Sequence, residues 1–112
     1  MPLSLQNILE SYVDELKKIY GNALKYVILF GSYARGDYNQ DSDIDIMILA
    51  EGTDIDLKQY QSKLAAITFD YNLDHDLEIN PVVVSINTFN KWLHVYPFYQ
   101  NIDKEGVKLY AA

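Results

Sequence analysis

Two aspartates separated by one residue, Asp43 and Asp45, stand where a polar stretch meets the apolar run Ile44-Asp45-Ile46-Met47-Ile48-Leu49-Ala50. Side chains alternate along an extended strand, so both carboxylates project from one face while Ile44 and Ile46 point into a core on the other. Like charges at that spacing repel unless a cation lies between them. An all-oxygen donor pair suits a hard divalent ion of the magnesium type, which completes its shell with water and phosphate oxygens, the arrangement phosphoryl transfer requires. Upstream, Gly31-Ser32 closes a second apolar run, Lys25-Tyr26-Val27-Ile28-Leu29-Phe30. A sharp turn there brings backbone N–H groups and a hydroxyl close to an anion. Arg35 is the one cation between Gly31 and Asp45. Two roles are open to it: neutralising phosphate charge, or tying the segment to Asp37 or Asp41 through a bidentate pair. Taken singly, each feature has a plain structural explanation, a turn after a strand or a solvated strand start; their combination points to phosphate chemistry.

The elements that must position these groups follow from periodicity. Leu5, Ile8, Leu9, Tyr12, Val13, Leu16, Ile19 and Tyr20 recur at three and four, which predicts an amphipathic helix from Ser4, with Ser4 as N-cap and Gly21 ending it in the left-handed conformation. Lys25–Phe30 and Ile44–Ala50 read as buried strands joined by a loop over Gly31–Ser42. Gly52-Thr53-Asp54 starts a second helix carrying Leu57, Tyr60, Leu64 and Ile67 on one face, until Asp70-Tyr71-Asn72 breaks the period. His75–Ser85 reads as a third strand, irregular or at an edge because of Pro81. Asn87-Thr88 can cap a short helix through Phe89, Trp92 and Leu93, and Pro97 opens a last helix to about Tyr110 with Gly106 a weak point inside it. The result is an α/β fold, a small mixed β-sheet with helices packed on it. The spacing of Phe89, Trp92 and Phe98 suits a core-facing stripe better than a base-stacking platform.

Composition narrows the function. A length of 112 residues predicts a single domain over 1–112, and 49% apolar residues supply its core. No apolar run approaches the ~20 residues of a membrane span, and no signal-like segment opens the chain, so a cytoplasmic location without membrane contact is expected. The absence of cysteine excludes a thiolate nucleophile and sulfur-ligated zinc. Sixteen acidic against nine basic residues give a net charge of −7, which repels a phosphate backbone and argues against direct nucleic-acid binding. His75 and His94 share no metal-ligand spacing with each other or with the aspartates. Ten tyrosines are many for this length, and an exposed surplus is consistent with a partner interface.

Gly-Ser, ten intervening residues, then Asp-x-Asp at the head of an apolar strand resembles the signature of the nucleotidyltransferase superfamily that includes DNA polymerase β. The fuller run GSYARGDYNQDSDID is similar to its minimal nucleotidyltransferase branch. The resemblance covers residues 25 to 50 directly, and the surrounding order of helices and strands fits the small catalytic core of that superfamily. It implies that Gly31 and Ser32 hold the terminal phosphates of ATP, with Arg35 nearby, and that Asp43 and Asp45 ligate one or two magnesium ions. In the superfamily a third carboxylate on a neighbouring strand completes the site and can act as base. Asp76 and Glu78, two apart in the third strand, both qualify. Asp76, slightly the better fit to the minimal enzymes, is expected as a metal ligand, and Glu78 matches the form in aminoglycoside-modifying relatives.

Similar proteins often act as the antitoxin of a two-component module, silencing an all-helical HEPN-domain ribonuclease toxin by transferring AMP to a tyrosine. A chain with no room for an acceptor-gripping domain needs another molecule or subunit to complete its acceptor site, in a homo- or hetero-oligomer. An acidic surface suits a basic ribonuclease partner. Two rivals stand beside this reading: a catalytically silent module that neutralises its partner by binding, and a nucleotidyltransferase for a small molecule of the aminoglycoside type.

Overall fold

The N-terminal helix, α1, spans Leu3–Tyr20 and buries Leu5, Leu9, Tyr12, Val13, Leu16 and Tyr20, the face its spacing predicts. The computed structural model describes residues 1–112. Pro2 occupies the N-cap position and no side chain caps the first turn, so Ser4 lies inside the helix. Gly21 ends α1 at positive φ (57°), but its ψ of −134° leads into a single 3-10 turn, Gly21–Ala23, in place of a left-handed helical cap. There follow β1 (Leu24–Phe30), α2 (Ser32–Arg35), β2 (Ile44–Ala50), α3 (Asp54–Lys58), α4 (Gln61–His75), β3 (Ile79–Ser85), α5 (Ile86–Trp92), α6 (Pro97–Glu105) and β4 (Val107–Ala111).

The four strands form one mixed sheet in the order β3-β2-β1-β4. β1 is antiparallel to both β2 and β4, and β2 is parallel to β3. A parallel pair needs a long crossover, which α3 and α4 provide. Pro81 sits in β3, an edge strand, where its missing N–H costs no ladder bond on the open side. One face of the sheet packs Val27, Leu29, Ile44, Ile46 and Ile48 against α1 and Leu64 of α4. The other packs Ile28, Met47 and Leu49 against Phe89 of α5 and Ile102 of α6. No helix is long and apolar enough to cross a membrane.

The structure departs from the sequence pattern in further places. The segment after Gly31 is not all loop, since α2 forms one helical turn there. The helix expected from Thr53 is two helices. Thr53 and Asp56 form a reciprocal capping box at 3.1 and 3.0 Å, but α3 ends at Lys58, with Gln59 as its C-cap. α4 then runs through Asp70-Tyr71-Asn72, where Asn72 is held by two hydrogen bonds: its Oδ1 accepts from the Ile79 N–H (2.8 Å) and its Nδ2 donates to the Ile79 carbonyl (3.2 Å). Consequently β3 starts at Ile79 and not at His75. α5 is entered at Ser85, so Asn87 and Thr88 are helical residues and not caps. The final helix stops at Glu105 and gives way to a fourth strand. Gly106 makes that change possible, because a Cβ there would collide with the Ile102 carbonyl and with Ile28 Cγ2 of β1.

Candidate active site

Because β2 alternates, Asp45 shares a face with Met47 and Leu49 while Ile44, Ile46 and Ile48 are fully buried on the other. Asp45 is the register partner of Phe30 on β1 and of Asn80 on β3, so an aromatic ring, a carboxylate and an amide form a row across the sheet. Asn80 Nδ2 donates to Asp45 Oδ1 at 3.4 Å. One step earlier the Ile44 N–H donates to the Glu78 carbonyl (2.9 Å), which brings Glu78 beside Asp43. The parallel register thus couples Asp43 with Glu78 and Asp45 with Asn80.

The Glu78 carboxyl is held above its usual range. The first cause is the hydrogen bond it shares with the Asp43 carboxyl and the second is that group's charge; desolvation and the charges of Asp41 and Asp76 add to them. Two carboxylates this close repel, and a cation between them relieves the repulsion. Their all-oxygen chemistry fits a hard divalent ion, and Asp45 stands two residues further along the chain. No group of three carboxylate or imidazole side chains is close enough to enclose an ion by itself. A cation held here would complete its shell with water and substrate oxygens.

Asp76 lines the hollow beside Glu78 but from a different element. It is the left-handed C-cap of α4 (φ 52°, ψ 50°), its N–H bonded to the Asn72 carbonyl, and not a strand residue facing the same way as Glu78. The same-face argument for the two acidic residues fails because α4 extends to His75, and the register puts Glu78, not Asp76, against Asp43.

Gly31 enters α2 with φ 74° and ψ −153°, and a Cβ at this position would fall 2.5 Å from Asp45 Oδ2. Glycine is required twice, by the backbone angle and by the carboxylate lying against it. The Gly31 carbonyl accepts from the N–H groups of Ala34 and Arg35, both at 3.1 Å; helix geometry leaves the N–H groups of Ser32 and Tyr33 without an acceptor inside the turn. Arg35 Nε donates to Asp37 Oδ2 at 3.3 Å, and the two side chains are 47% and 63% exposed. An ion pair this open is worth little, so it leaves the guanidinium available for phosphate, and the two roles left open by the sequence are compatible. Beyond it, Tyr33 and Tyr38 stack at 4.2 Å and 8°. A tight turn then delivers Asp43: Asn39 Oδ1 accepts from the Asp41 N–H and Ser42 Oγ from the Asn39 N–H.

Two hollows flank the carboxylates. The first, about 410 Å³, lies between Phe30, Gly31, Ser32, Arg35 and Asp45 on one side and Phe98, Asn101, Ile102 and Glu105 of α6 on the other. Its size is within the roughly 300–1,000 Å³ of small-molecule sites. The second, about 350 Å³, is lined by Tyr33, Gln40, Asp41, Ser42 and Ile44 and by Asp76, Leu77 and Glu78. His75 and His94 line neither. Sequence reasoning missed Asn80, although its spacing of two from Glu78 was visible, and it missed the α6 side of the first hollow, whose signal is the spacing 98, 101 and 105 on one helix.

The model of the nucleotidyltransferase domain family matches residues 9–109. The chain belongs to this family. It is a nucleotidyltransferase, an enzyme. "Putative protein adenylyltransferase MJ0604" of Methanocaldococcus jannaschii is 36% identical over 113 residues, covering 94% of this chain and 97% of that protein. The protein adenylyltransferase MntA of Thermococcus cleftensis is 29% identical over 79 residues, covering 66% and 78%. Among solved structures, a "putative nucleotidyltransferase" from Sulfolobus solfataricus superposes with a TM-score of 0.66 at 19% identity, over 97% of this chain and 82% of that one. A toxin-antitoxin solved with AMP-PNP superposes with a TM-score of 0.56 at 21% identity, over 92% and 73%. The four-stranded mixed sheet with its six helices is the fold of the minimal nucleotidyltransferases.

Proposed function

We propose that this nucleotidyltransferase transfers AMP from ATP to a hydroxyl group of a partner protein, a tyrosine of an all-helical HEPN-type ribonuclease toxin, and so acts as its cytoplasmic antitoxin. The observation that carries the chemistry is the convergence of Gly31, Ser32, Arg35 and Asp45 on one cleft beside the Asp43 and Glu78 pair. The names of the relatives support protein as acceptor. A toxin-antitoxin of the same fold and the net charge of −7 support a basic partner of that kind.

In this reading the Ser32 hydroxyl, the first-turn N–H groups and Arg35 hold the phosphates, and Asp43 and Asp45 would hold Mg²⁺, whose shell water and phosphate oxygens complete. The ion supplies Lewis-acid polarisation and neutralises charge on the phosphate oxygens. The acceptor approaches from the second hollow, where Glu78 takes the proton of its hydroxyl; the oxygen forms a bond to the α-phosphorus and pyrophosphate departs.

The test is mass spectrometry of the protein encoded by the adjacent gene after incubation with this chain, ATP and Mg²⁺. A tyrosine gaining the mass of one or more AMP residues is the expected outcome. One observation favours a second reading, binding without catalysis: beside Asp45 the neighbouring strand presents the amide of Asn80 and not a carboxylate. If the partner loses its activity at unchanged mass, and an Asp43→Asn, Asp45→Asn double variant neutralises it equally well, binding alone is the function.

A further inference from the structure

Phe98 escapes the core that its neighbours on α5 and α6 join. Phe89 is buried at 5% exposure and Ile102 at 3%, yet Phe98 remains 50% exposed. Its ring stands edge-on to Phe30, with centroids 5.7 Å apart at 83°, and both rings line the first cleft. A ring half in water at the mouth of a cleft presents an aromatic face on which a planar group can stack.

Two polar side chains share its helix face. Asn101 and Glu105 follow Phe98 at i+3 and i+7 and line the same cleft. Arg35, the cation in the lining, stands with Asp45 at the Gly31-Ser32 end, where a divalent ion held by Asp45 would arrive with the triphosphate, while Glu105 at the α6 end has no cation in the lining beside it and opposes anions. This favours an orientation with phosphates toward Arg35 and nucleoside toward α6.

We infer that the Phe30 and Phe98 pair, with Asn101 and Glu105, is the nucleoside subsite of the enzyme, selective for adenine. The base stacks on the exposed Phe98 ring, as bases do on aromatic platforms. The Asn101 amide offers a donor and an acceptor side by side, which the N6 amino group and N7 of adenine answer together; guanine presents two acceptors on the same edge and does not. Glu105 accepts from the ribose hydroxyls. This rests on the cleft being the nucleotide site.

Calorimetry on the full-length protein with Mg²⁺ tests it, using AMP-PNP, GMP-PNP and inorganic tripolyphosphate, which lacks a nucleoside. The wild type should bind AMP-PNP more tightly than either of the others. Phe98→Ala should weaken AMP-PNP binding roughly ten-fold or more while leaving tripolyphosphate unchanged, and Phe98→Trp should restore it. Asn101→Ala should reduce the preference for AMP-PNP over GMP-PNP. If wild type prefers AMP-PNP to tripolyphosphate but Phe98→Ala binds it equally well, the base lies elsewhere and the inference fails while the cleft assignment stands. If Phe98→Ala weakens both ligands alike, Phe98 only supports the fold and the inference also fails. If wild type binds neither AMP-PNP nor tripolyphosphate, the nucleotide reading of the cleft itself is wrong.

Discussion

The two faces of the central sheet are built from the same strands and do opposite work. On the α1 and α4 face, Ile44, Ile46, Ile48 and Ala50 of β2 join a continuous cluster of sixteen buried residues. On the α5 and α6 face only Ile28, Met47, Leu49, Phe89 and Ile102 form a buried cluster, and the same strand positions continue outward into Asp45, Phe30 and Asn80. A strand anchored on one side by close packing can hold charged groups on the other side at fixed spacing. Close packing therefore lies chiefly on one face and the candidate site on the other, although successive residues alternate between them.

The largest separation should appear at adjacent positions of β2. Asp45→Asn is expected to lower nucleotidyl transfer on the order of 10³-fold, because metal-ion stabilisation of transferred charge is worth several kcal/mol, with the melting temperature unchanged within a degree or two. Ile46→Ala, at a site with no solvent exposure, should cost about 2–5 kcal/mol of stability and leave activity per folded molecule intact. Thermal melts and turnover measured on both variants check this, and a large stability loss in Asp45→Asn without loss of specific activity would collapse the distinction between the faces.

A smaller effect sharpens the boundary of the chemical face. Glu78→Gln should reduce turnover about 100-fold, as loss of a general base does, whereas Asp76→Asn, at a helix cap that lines the same hollow without facing Asp43, should have a much smaller effect. Equal effects from the two would mean that the register contact between Asp43 and Glu78 has no catalytic consequence.

The smallest effect belongs to the packed face and is read by pH. Burial pushes the hydroxyls of Tyr12 and Tyr20 up to about 12 from the ordinary 10.0; the hydrogen bond of Tyr12 to Thr68 opposes the shift, and for Tyr20 the charges of Tyr12 and Tyr60 add to it. A pKa raised on folding means that the unfolded chain gives up its proton first. The stability contribution is full below pH 10 and is lost progressively as pH rises through 12. Melting temperature should fall over that window, and Tyr12→Phe should flatten the decline; an identical decline in Tyr12→Phe would assign the alkaline transition to other groups.

Local pattern was enough for β1, β2 and α1, because strong periodicity in a buried segment leaves one face to bury. It was enough too to bring Gly31, Ser32 and Arg35 to one turn at the end of β1 and Asp45 to the open face of β2, relations that depend on a turn and on the two-residue period of a single strand. It failed where two signals competed. Val107–Ala111 continues an apolar pattern after α6, and only pairing with β1 across Gly106 makes it a strand. Asp70-Tyr71-Asn72 reads as a helix end, yet Tyr71 packs on Tyr12 and Asn72 binds Ile79, so tertiary partners extend α4 and shift the start of β3 by four residues relative to the expected His75.

That shift decided the part of the site that no local signal contains. The sequence by itself determined that Asp43 and Asp45 stand at the head of one apolar strand, with Asp45 on the face opposite Ile44 and Ile46 because the backbone period allows nothing else. It could not determine which residue stands beside each of them. The parallel register of β2 with β3, set by how a separate helix and its crossover pack, placed Glu78 against Asp43 and Asn80 against Asp45. The face of α6 that closes the cleft was likewise settled by packing, because Phe98, Asn101 and Glu105 are more than fifty residues from the aspartates along the chain, and only the docking of Ile102 on the sheet brings them to the same space.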